Sequence, residues 1–202
     1  MNLTIIGDVH GKISKYKEIT DKCDFSICVG DFGFKEKWDW HRENVWNYGL
    51  NPHYINIGNH DWIDVLEEDR LEYACTGNFN YFQDFKIFTI RGAESIDKHL
   101  RTEGVDWFAN EELNYQEQLE AFDFYVKVKP KIVISHDCPQ AIAHSLFGIP
   151  NKSQTRQMLQ AMFDEHKPDL WVFGHHHKSK DVNILGTRFV CLAELETLKI
   201  EA

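Results

Sequence analysis

The strongest constraint on the fold is a set of five short apolar runs, each followed at once by a glycine or a polar residue. The runs lie at Leu3–Ile6, Phe25–Val29, Tyr54–Ile57, Ile132–Ser135 and Leu170–Phe173. Their length and their content of Ile, Val and Phe are typical of strands that are buried on both faces. Because segments of helical period lie between them, we predict an α/β fold with strands that pair at least partly in parallel.

Two segments between the strands have the spacing of amphipathic helices. Their predicted apolar faces comprise Ile13, Tyr16, Ile19 and Cys23 in the first segment, and Leu113, Leu119, Phe122 and Val126 in the second. Asn110 precedes two glutamates and is the predicted N-cap of the second helix. Further strands are predicted at Phe85–Arg91 and Arg188–Leu192, and a loop near the active face at residues 95–110. No repeat or linker interrupts the pattern, so we predict one domain over residues 1–202.

Charge and cysteine content limit the partners and the compartment. A net charge of −10 over 202 residues argues against a surface for long nucleic acid, although bound divalent cations can reverse the sign locally. The five cysteines are odd in number and lack C-x-x-C spacing, which indicates reduced thiols. Neither a secretory signal nor an apolar run of membrane-spanning length is visible. We therefore predict a soluble, cytoplasmic protein that does not associate with a membrane.

Eight polar residues follow the apolar runs at a distance of one to four positions. They are Asp8, His10, Asp31, Asn59, His60, His136, His175 and His177. In open α/β sheets, ligands bind beyond the carboxyl ends of the strands. We therefore expect five strand ends to bring these side chains to one edge of the sheet.

The chemistry of this set favours metal binding. Carboxylate, imidazole and amide groups suit first-row transition metals, whereas thiolates at these positions would indicate structural zinc. Eight groups exceed the needs of one ion, but two ions about 3.5–4 Å apart and bridged by a carboxylate would use them all. Two such ions lower the pKa of a bridging water, so that hydroxide is available near neutral pH. We predict two divalent metal ions, with Mn²⁺ first and Fe, Zn or Ni as alternatives.

The same residues fall into ordered motifs. These are G-D-V-H-G at 7–11, G-D at 30–31, G-N-H-D at 58–61, S-H at 135–136 and G-H-H-H at 174–177. A single piece such as G-D carries no weight, but the ordered set resembles the calcineurin-like metallophosphoesterase family over most of the chain. More loosely, Gly92–Leu113 resembles small bacterial and phage members of unassigned substrate. The resemblance implies a four-layer α/β/β/α sandwich in which two mixed sheets face each other.

The resemblance also implies a role for each matching residue. The metal ligands would be Asp8, His10 and His177 at one ion, Asn59, His136 and His175 at the other, and Asp31 as the bridge between them. His60 would lie off the metals, near the leaving-group oxygen, as a proton donor or as a charge partner for the transition state. Asp61 is a further catalytic candidate, and starting the helix after G-N-H is its alternative role. His176 falls at the variable position and is expected to point elsewhere.

The second motif departs from the pattern of protein Ser/Thr phosphatases and diadenosine tetraphosphate hydrolases. Those resemble G-D-x-V-D-R-G, whereas this chain reads G-D-F-G-F at 30–34. The missing Asp leaves the orienting partner of His60 open, with Asp61 and Asp64 as candidates. The missing Arg removes a phosphate clamp, for which the candidate replacements are Arg91, His99, Arg101 and Arg156. The competing interpretation is that Arg156 is only a solvent-exposed residue on the polar face of a helix.

These features predict a phosphoesterase that depends on two metal ions and hydrolyses monoesters or diesters. A nucleotide or another small phosphoester fits the acidic composition best as the substrate. One alternative is a nuclease, which should show a basic path to the site. The other is a non-catalytic scaffold that retains metals, and relatives of that kind are typically degraded in the catalytic motifs, unlike this chain.

Overall fold

The computed structural model describes residues 2–33, 53–62, 76–150 and 153–201. The strands in these ranges are β1 (Asn2–Ile6), β2 (Phe25–Cys28), β3 (His53–Ile55), β4 (Phe79–Phe82), β5 (Ile87–Ile90), β6 (Ile132–Ser135), β7 (Leu170–Phe173), β8 (Lys180–Ile184), β9 (Thr187–Cys191) and β10 (Thr197–Glu201). The α-helices are α1 (Ile13–Thr20), α2 (Tyr115–Val128), α3 (Gln140–Phe147) and α4 (Gln154–Glu165), and a 3₁₀ helix spans Lys98–Leu100. Each predicted strand overlaps an observed one.

The strands form two mixed sheets, which confirms the predicted fold class. The first sheet has the order β10-β1-β2-β3, with β1, β2 and β3 parallel and β10 antiparallel to β1. The second has the order β4-β5-β6-β7-β9-β8, in which β5, β6, β7 and β9 are parallel. The outer strands β4 and β8 pair in the antiparallel direction. The carboxyl ends of the parallel strands in each sheet therefore lie at one edge.

Three apolar clusters separate four layers. Successive residues of a strand point to opposite faces of the sheet, so Ile6 packs towards α1 whereas Ile5 packs towards the second sheet. The second sheet presents Ile134 to the first sheet and Val133 to α2, α3 and α4. The largest fully buried apolar side chain, Trp171, lies in this last cluster. The layer order is thus helix, sheet, sheet, helices, as the resemblance implied.

Helix boundaries and faces were predicted less well. The helix α2 begins after Asn114, not Asn110: the Asn114 side chain accepts from the main-chain N–H of Glu117, whose carboxylate accepts in return from the N–H of Asn114. This reciprocal capping box decides the start of the helix. Leu119, which is predicted on the buried face, is 40% exposed, because Ala121 and Tyr125 form that face.

Several elements were not predicted from the sequence, and two predicted properties stay predictions. The segments that form β4, β8, β10, α3 and α4 were not assigned from sequence. Within the described ranges, no helix is long and apolar enough to cross a bilayer. The four described cysteines, which are Cys23, Cys28, Cys138 and Cys191, are free thiols. The single domain and the cytoplasmic location stay predictions.

Candidate metal centre

The predicted ligands follow the carboxyl ends of parallel strands in both sheets. Asp8 and His10 follow β1, Asp31 follows β2, Asn59 follows β3, His136 follows β6, and His175 and His177 follow β7. Two facing sheets therefore contribute loops to the same place. The contacts between these loops define the site.

The loops leave their strands with unusual backbone geometry. The φ angle is 48° at His10, 48° at Asp31, 65° at His175 and 51° at His177. Asp and His enter this left-handed region more readily than most residues, but the conformation still costs about 1–3 kcal/mol where it is strained. Surrounding contacts must fix such residues, and they concentrate at functional sites.

Two glycines of the motifs allow the loops to approach each other closely. A methyl group added at Gly58 would collide with the carboxylate of Asp31, and one added at Gly174 would collide with the carboxylate of Asp8. Gly58 and Gly174 are therefore each needed by the ligand of a neighbouring loop. This explains the recurrence of glycine at the strand ends in physical terms.

The first group of candidate ligands consists of Asp8, His10, Asp31 and His177. One ligand atom from each residue lies within 4.8 Å of all the others. The Nε2 atoms of His10 and His177 are 3.0 Å apart, and His177 Nε2 lies 3.4 Å from Asp8 Oδ2. Asp8 is fully buried, whereas the His177 side chain is 50% exposed. The group is therefore anchored in the core and open to solvent on its histidine side.

The second group joins Asn59, His136, His175 and again Asp31. The Oδ1 atom of Asn59 lies 3.1 Å from His136 Nε2 and 3.0 Å from His175 Nδ1. The same His136 nitrogen lies 3.3 Å from Oδ1 of Asp31. An amide oxygen, two imidazoles and a carboxylate thus converge, which is a ligand set suited to a first-row divalent metal.

Asp31 is shared between the two groups through its two oxygens. Oδ1 lies towards His136, while Oδ2 lies 3.9 Å from Nε2 of His10. The main-chain N–H of His60 also donates to Oδ1 at 2.8 Å and fixes the carboxylate. A carboxylate with one oxygen in each group has the geometry required of a bridging ligand.

The buried charges of the site perturb one another. Burial raises the pKa of Asp8 to about 7, against the opposing charge of His136. Burial also lowers the pKa of His175 to about 3, so its imidazole is neutral at pH 7, which is the form that binds metal. Burial alone would lower the pKa of His136, but the negative charges of Asp31 and Asp8 raise it to about 10. Bound cations would offset the cost of burying these carboxylates together.

Unsatisfied atoms test whether this site fits a metal. Among the buried side-chain atoms that make no hydrogen bond in the described residues are two carboxylate oxygens of the site, Asp8 Oδ1 and Asp31 Oδ2. Buried polar atoms without a partner are rare in native proteins, and each one calls for a physical reason. Both oxygens belong to predicted ligands, so these carboxylates, together with the two converging ligand groups, fit bound metal ions.

Asp61 holds two ligand loops together. Its carboxylate accepts main-chain N–H groups from Phe32 at 3.1 Å, from Gly33 at 2.8 Å and from Gly58 at 3.0 Å. The residue is fully buried. These bonds tie the loop that carries Asp31 to the loop that carries His60, so they support a positioning role. A catalytic role for Asp61 stays a prediction.

His60 lies beside the first ligand group. Its ring centroid is 5.8 Å from that of His10. Its Nδ1 lies 3.0 Å from Nη1 of Arg101, a residue predicted as a substrate contact. Asp64, the other candidate partner of His60, lies outside the described residues.

The other predicted substrate contacts lie elsewhere. Arg91 is 4% exposed and donates to the side chain of Asn78 and to the main-chain oxygen of Asn110. Arg156 is fully buried and donates to Asp137 at 2.7 Å, so the interpretation that it solvates a helix face is wrong. His99 is exposed on the 3₁₀ helix. Of these four residues, the structure brings Arg101 against a predicted catalytic residue.

Sequence reasoning missed the residues that support the ligands from behind. Asn59 donates through Nδ2 to Ser95 Oγ at 2.9 Å, and Ser95 donates to Glu111 at 2.6 Å. This relay leaves Oδ1 of Asn59 facing the two histidines. Ligand-orienting partners of this kind tune metal sites, but no local motif marks them in a sequence.

A second support lies behind the two histidine loops. Asp137 forms an ion pair with Arg156 and lies 3.1 Å from Nε2 of His176. The His176 ring stacks on Phe147 with centroids 4.0 Å apart. His176 therefore occupies a supporting position, and its neighbours in sequence, His175 and His177, carry the ligand groups.

Comparison with known proteins agrees with the fold. A model of the calcineurin-like phosphoesterase family matches residues 1–179. No curated protein sequence matches the chain at a significant level. A dimetal phosphatase from Danio rerio superposes with a TM-score of 0.58 and 10% identity, covering 96% of this chain and 88% of its own.

Two further structures are similar. Phosphopantetheinyl hydrolase from Mycobacterium tuberculosis has a TM-score of 0.54 and 14% identity, covering 96% of this chain and 89% of its own. GAP50, described as the anchor in the inner membrane complex of Plasmodium, has a TM-score of 0.55 and 13% identity, covering 96% and 71%. At these identities the likeness shows a common fold and nothing finer.

Proposed function

This chain belongs to the calcineurin-like phosphoesterase family, and we propose that it is a hydrolase that cleaves phosphoester bonds with two bound divalent metal ions. The observation that supports this most is the position of Asp31, with one carboxylate oxygen in each ligand group. Mn²⁺ is the proposed metal, with Fe, Zn and Ni as alternatives, because the site offers only carboxylate, imidazole and amide ligands.

Each ligand group would hold one ion. The first would use Asp8, His10 and His177, the second would use Asn59, His136 and His175, and Asp31 would serve both. When bound, the ions would position the phosphate oxygens, neutralise charge that develops in the transition state and supply hydroxide near neutral pH.

His60 would act on the substrate. Its ring lies beside His10, and its main-chain N–H holds Asp31, so its place relative to the proposed bridge is fixed. A nitrogen in this position can hydrogen-bond a leaving-group or phosphoryl oxygen. A group of this type contributes typically about 10²–10⁴-fold to the rate.

The proposed substrate is a nucleotide or another small phosphoester. The opening lies at the half-exposed His177, and a chain with a net charge of −10 is poorly suited to hold a long polyanion. A nuclease, the runner-up, would bind nucleic acid through a basic path. A non-catalytic scaffold is less well supported because the complete ligand set is accompanied by His60.

The first experiment removes metal from the purified protein and restores it with Mn²⁺. We then compare the rates on p-nitrophenyl phosphate and bis-p-nitrophenyl phosphate. Hydrolysis that returns with metal supports the proposal, and the ratio of the two rates selects monoesters or diesters for further screening. Inactivity on both esters, and on nucleotides, with Mn²⁺, Ni²⁺, Zn²⁺ and Fe²⁺ would contradict it.

Replacing the bridge tests the mechanism. We expect Asp31→Asn to lower kcat by about two or more orders of magnitude, because a neutral amide would hold two cations far less well than a carboxylate, and both ions would be needed to supply hydroxide near neutral pH. Asp181→Asn, an exposed aspartate on β8, is the matched control and should keep the wild-type rate. A folded Asp31→Asn protein with near-wild-type turnover would rule out a bridging role.

A further inference from the structure

The segment from Ser95 to Glu111 contacts the loop of Asn59 and His60 through Ser95 and Arg101. Ser95 accepts from Asn59 and belongs to the relay behind the second ligand group. Arg101 contacts the next residue, His60. The segment follows β5, and no predicted metal ligand follows that strand. It therefore supports the loop of Asn59 and His60 without contributing a metal ligand.

The guanidinium of Arg101 is held rigidly. Its Nε and Nη2 donate to the two carboxylate oxygens of Asp97 at 2.7 and 2.9 Å. Its Nη1 donates to the main-chain oxygen of Asp106 at 3.0 Å and lies 3.0 Å from Nδ1 of His60. A two-point carboxylate contact fixes the plane of a guanidinium, so the direction of Nη1 is set by Asp97. The Arg101 side chain is only 18% exposed.

This contact fixes where the His60 ring carries its proton. A guanidinium has N–H donors and no acceptor, and it stays protonated in proteins. Nδ1 of His60 must therefore accept the hydrogen bond, which leaves Nε2 as the nitrogen that bears hydrogen. A carboxylate partner would do the opposite, since it would accept a hydrogen bond from Nδ1–H.

We propose that Arg101 is a positioning residue that fixes the orientation and the tautomer of His60, so that His60 offers an Nε2–H group to the substrate. The role rests on the proposed function. It also sets this chain apart from relatives in which a carboxylate in the second motif is expected to face the histidine, because the corresponding segment here reads G-D-F-G-F at 30–34.

Direct binding of the substrate phosphate by Arg101 is the main competing role. A guanidinium has five N–H donors, and four of them are directed at Asp97, Asp106 and His60. One donor remains, which is too few for the two-point contact by which arginine typically clamps a phosphate. The geometry therefore favours an effect exerted through His60.

A double-mutant cycle separates the two roles. Arg101→Met should lower kcat by about 10–100-fold, as is typical when a supporting partner is removed, with KM changed much less. In a His60→Ala background the same substitution should have almost no further effect, because the residue through which it acts is gone. An equal loss of activity in both backgrounds would overturn the proposal and indicate a direct contact with substrate.

A matched control checks that any loss is local. Arg188 makes the same two-point contact with Asp181 on the hairpin of β8 and β9, at 2.9 and 2.7 Å. Arg188→Met should leave kcat unchanged, and a loss equal to that of Arg101→Met would overturn the proposal. If Arg101→Met does not fold, Arg101→Lys replaces it, since a lysine cannot span Asp97 and His60 together.

A spectroscopic measurement tests the inference independently of turnover. ¹⁵N NMR of the zinc-loaded protein, with the His60 signals assigned by comparison with His60→Ala, should show hydrogen on Nε2 and none on Nδ1. Arg101→Met or Arg101→Lys should give a mixture of tautomers. Hydrogen on Nδ1 in the wild type would overturn the proposal. An inactive wild type with the expected tautomer would instead refute the phosphoesterase function and leave the role of Arg101 in place.

Discussion

At the scale of single residues, the ligands depend on buried partners that never reach the substrate. Asp137 follows the ligand His136 directly and is fully buried against Arg156. Burial alone would raise the pKa of Asp137, but the charges of His175, Arg156 and His176 and a hydrogen bond from His176 lower it below its ordinary value. The ion pair thus joins α4 to the loop after β6.

Asp137→Asn should cost about 3–5 kcal/mol of unfolding free energy, because the buried guanidinium of Arg156 would lose its ion pair with this carboxylate. Urea unfolding of the metal-free proteins measures this. The control is Asp181→Asn, which removes a surface pair whose side chains are 45% and 53% exposed and should cost at most about 1 kcal/mol. Equal losses in the two variants would mean that burial does not determine the strength of the pair.

At the scale of elements, helix starts and strand ends set the position of the site. The capping box of Asn114 and Glu117 begins α2 four residues after the predicted cap. Glu111 therefore lies outside the helix, where its carboxylate accepts a hydrogen bond from Ser95, which in turn accepts one from Asn59. Had the helix begun at Asn110, Glu111 would have lain in its first turn.

Asn114→Ala should destabilise the protein by about 1 kcal/mol, because the N–H of Glu117 would lose its side-chain acceptor. Asn114→Asp is the conservative control and should stay within about 0.5 kcal/mol of the wild type, since aspartate caps equally well. Chemical denaturation monitored by circular dichroism measures both. A harmless Asn114→Ala would show that tertiary packing alone fixes the start of α2.

At the scale of the whole molecule, the proposed ions would join the two sheets. One group draws its ligands from β1, β2 and β7, and the other from β2, β3, β6 and β7. A ligand that binds only the folded state stabilises it, by about 2.7 kcal/mol at a free concentration of 100 times Kd.

Metal binding should therefore raise the melting temperature, and chelation should lower it. Adding Mn²⁺ to the chelator-treated protein should shift Tm upward in a concentration-dependent manner, by several degrees near saturation. Asp31→Asn should show a much smaller shift, whereas Asp181→Asn should respond as the wild type does. An unchanged Tm over millimolar Mn²⁺ would argue against metal binding at the two groups.

The order of elements and the candidate ligands could be read from the sequence because both are local patterns. A buried strand needs a short run of Ile, Val and Phe, and a ligand loop after it needs glycine and polar residues, as in Gly58–Asn59. The strand β8 escaped prediction because it has exposed Lys180 and Asp181, and its pairing with β9 decides its conformation.

The identity of the partners behind the ligands depends on the tertiary structure. His60 and Arg101 are separated by 41 positions, and Asn59 and Ser95 by 36, so no periodicity or motif connects them. The fold class and the candidate metal ligands could be predicted from the sequence, because local hydrophobicity indicates the first and ligand chemistry the second. The packing of two sheets determined which nitrogen of His60 bears its hydrogen, because that depends on a hydrogen bond between distant segments.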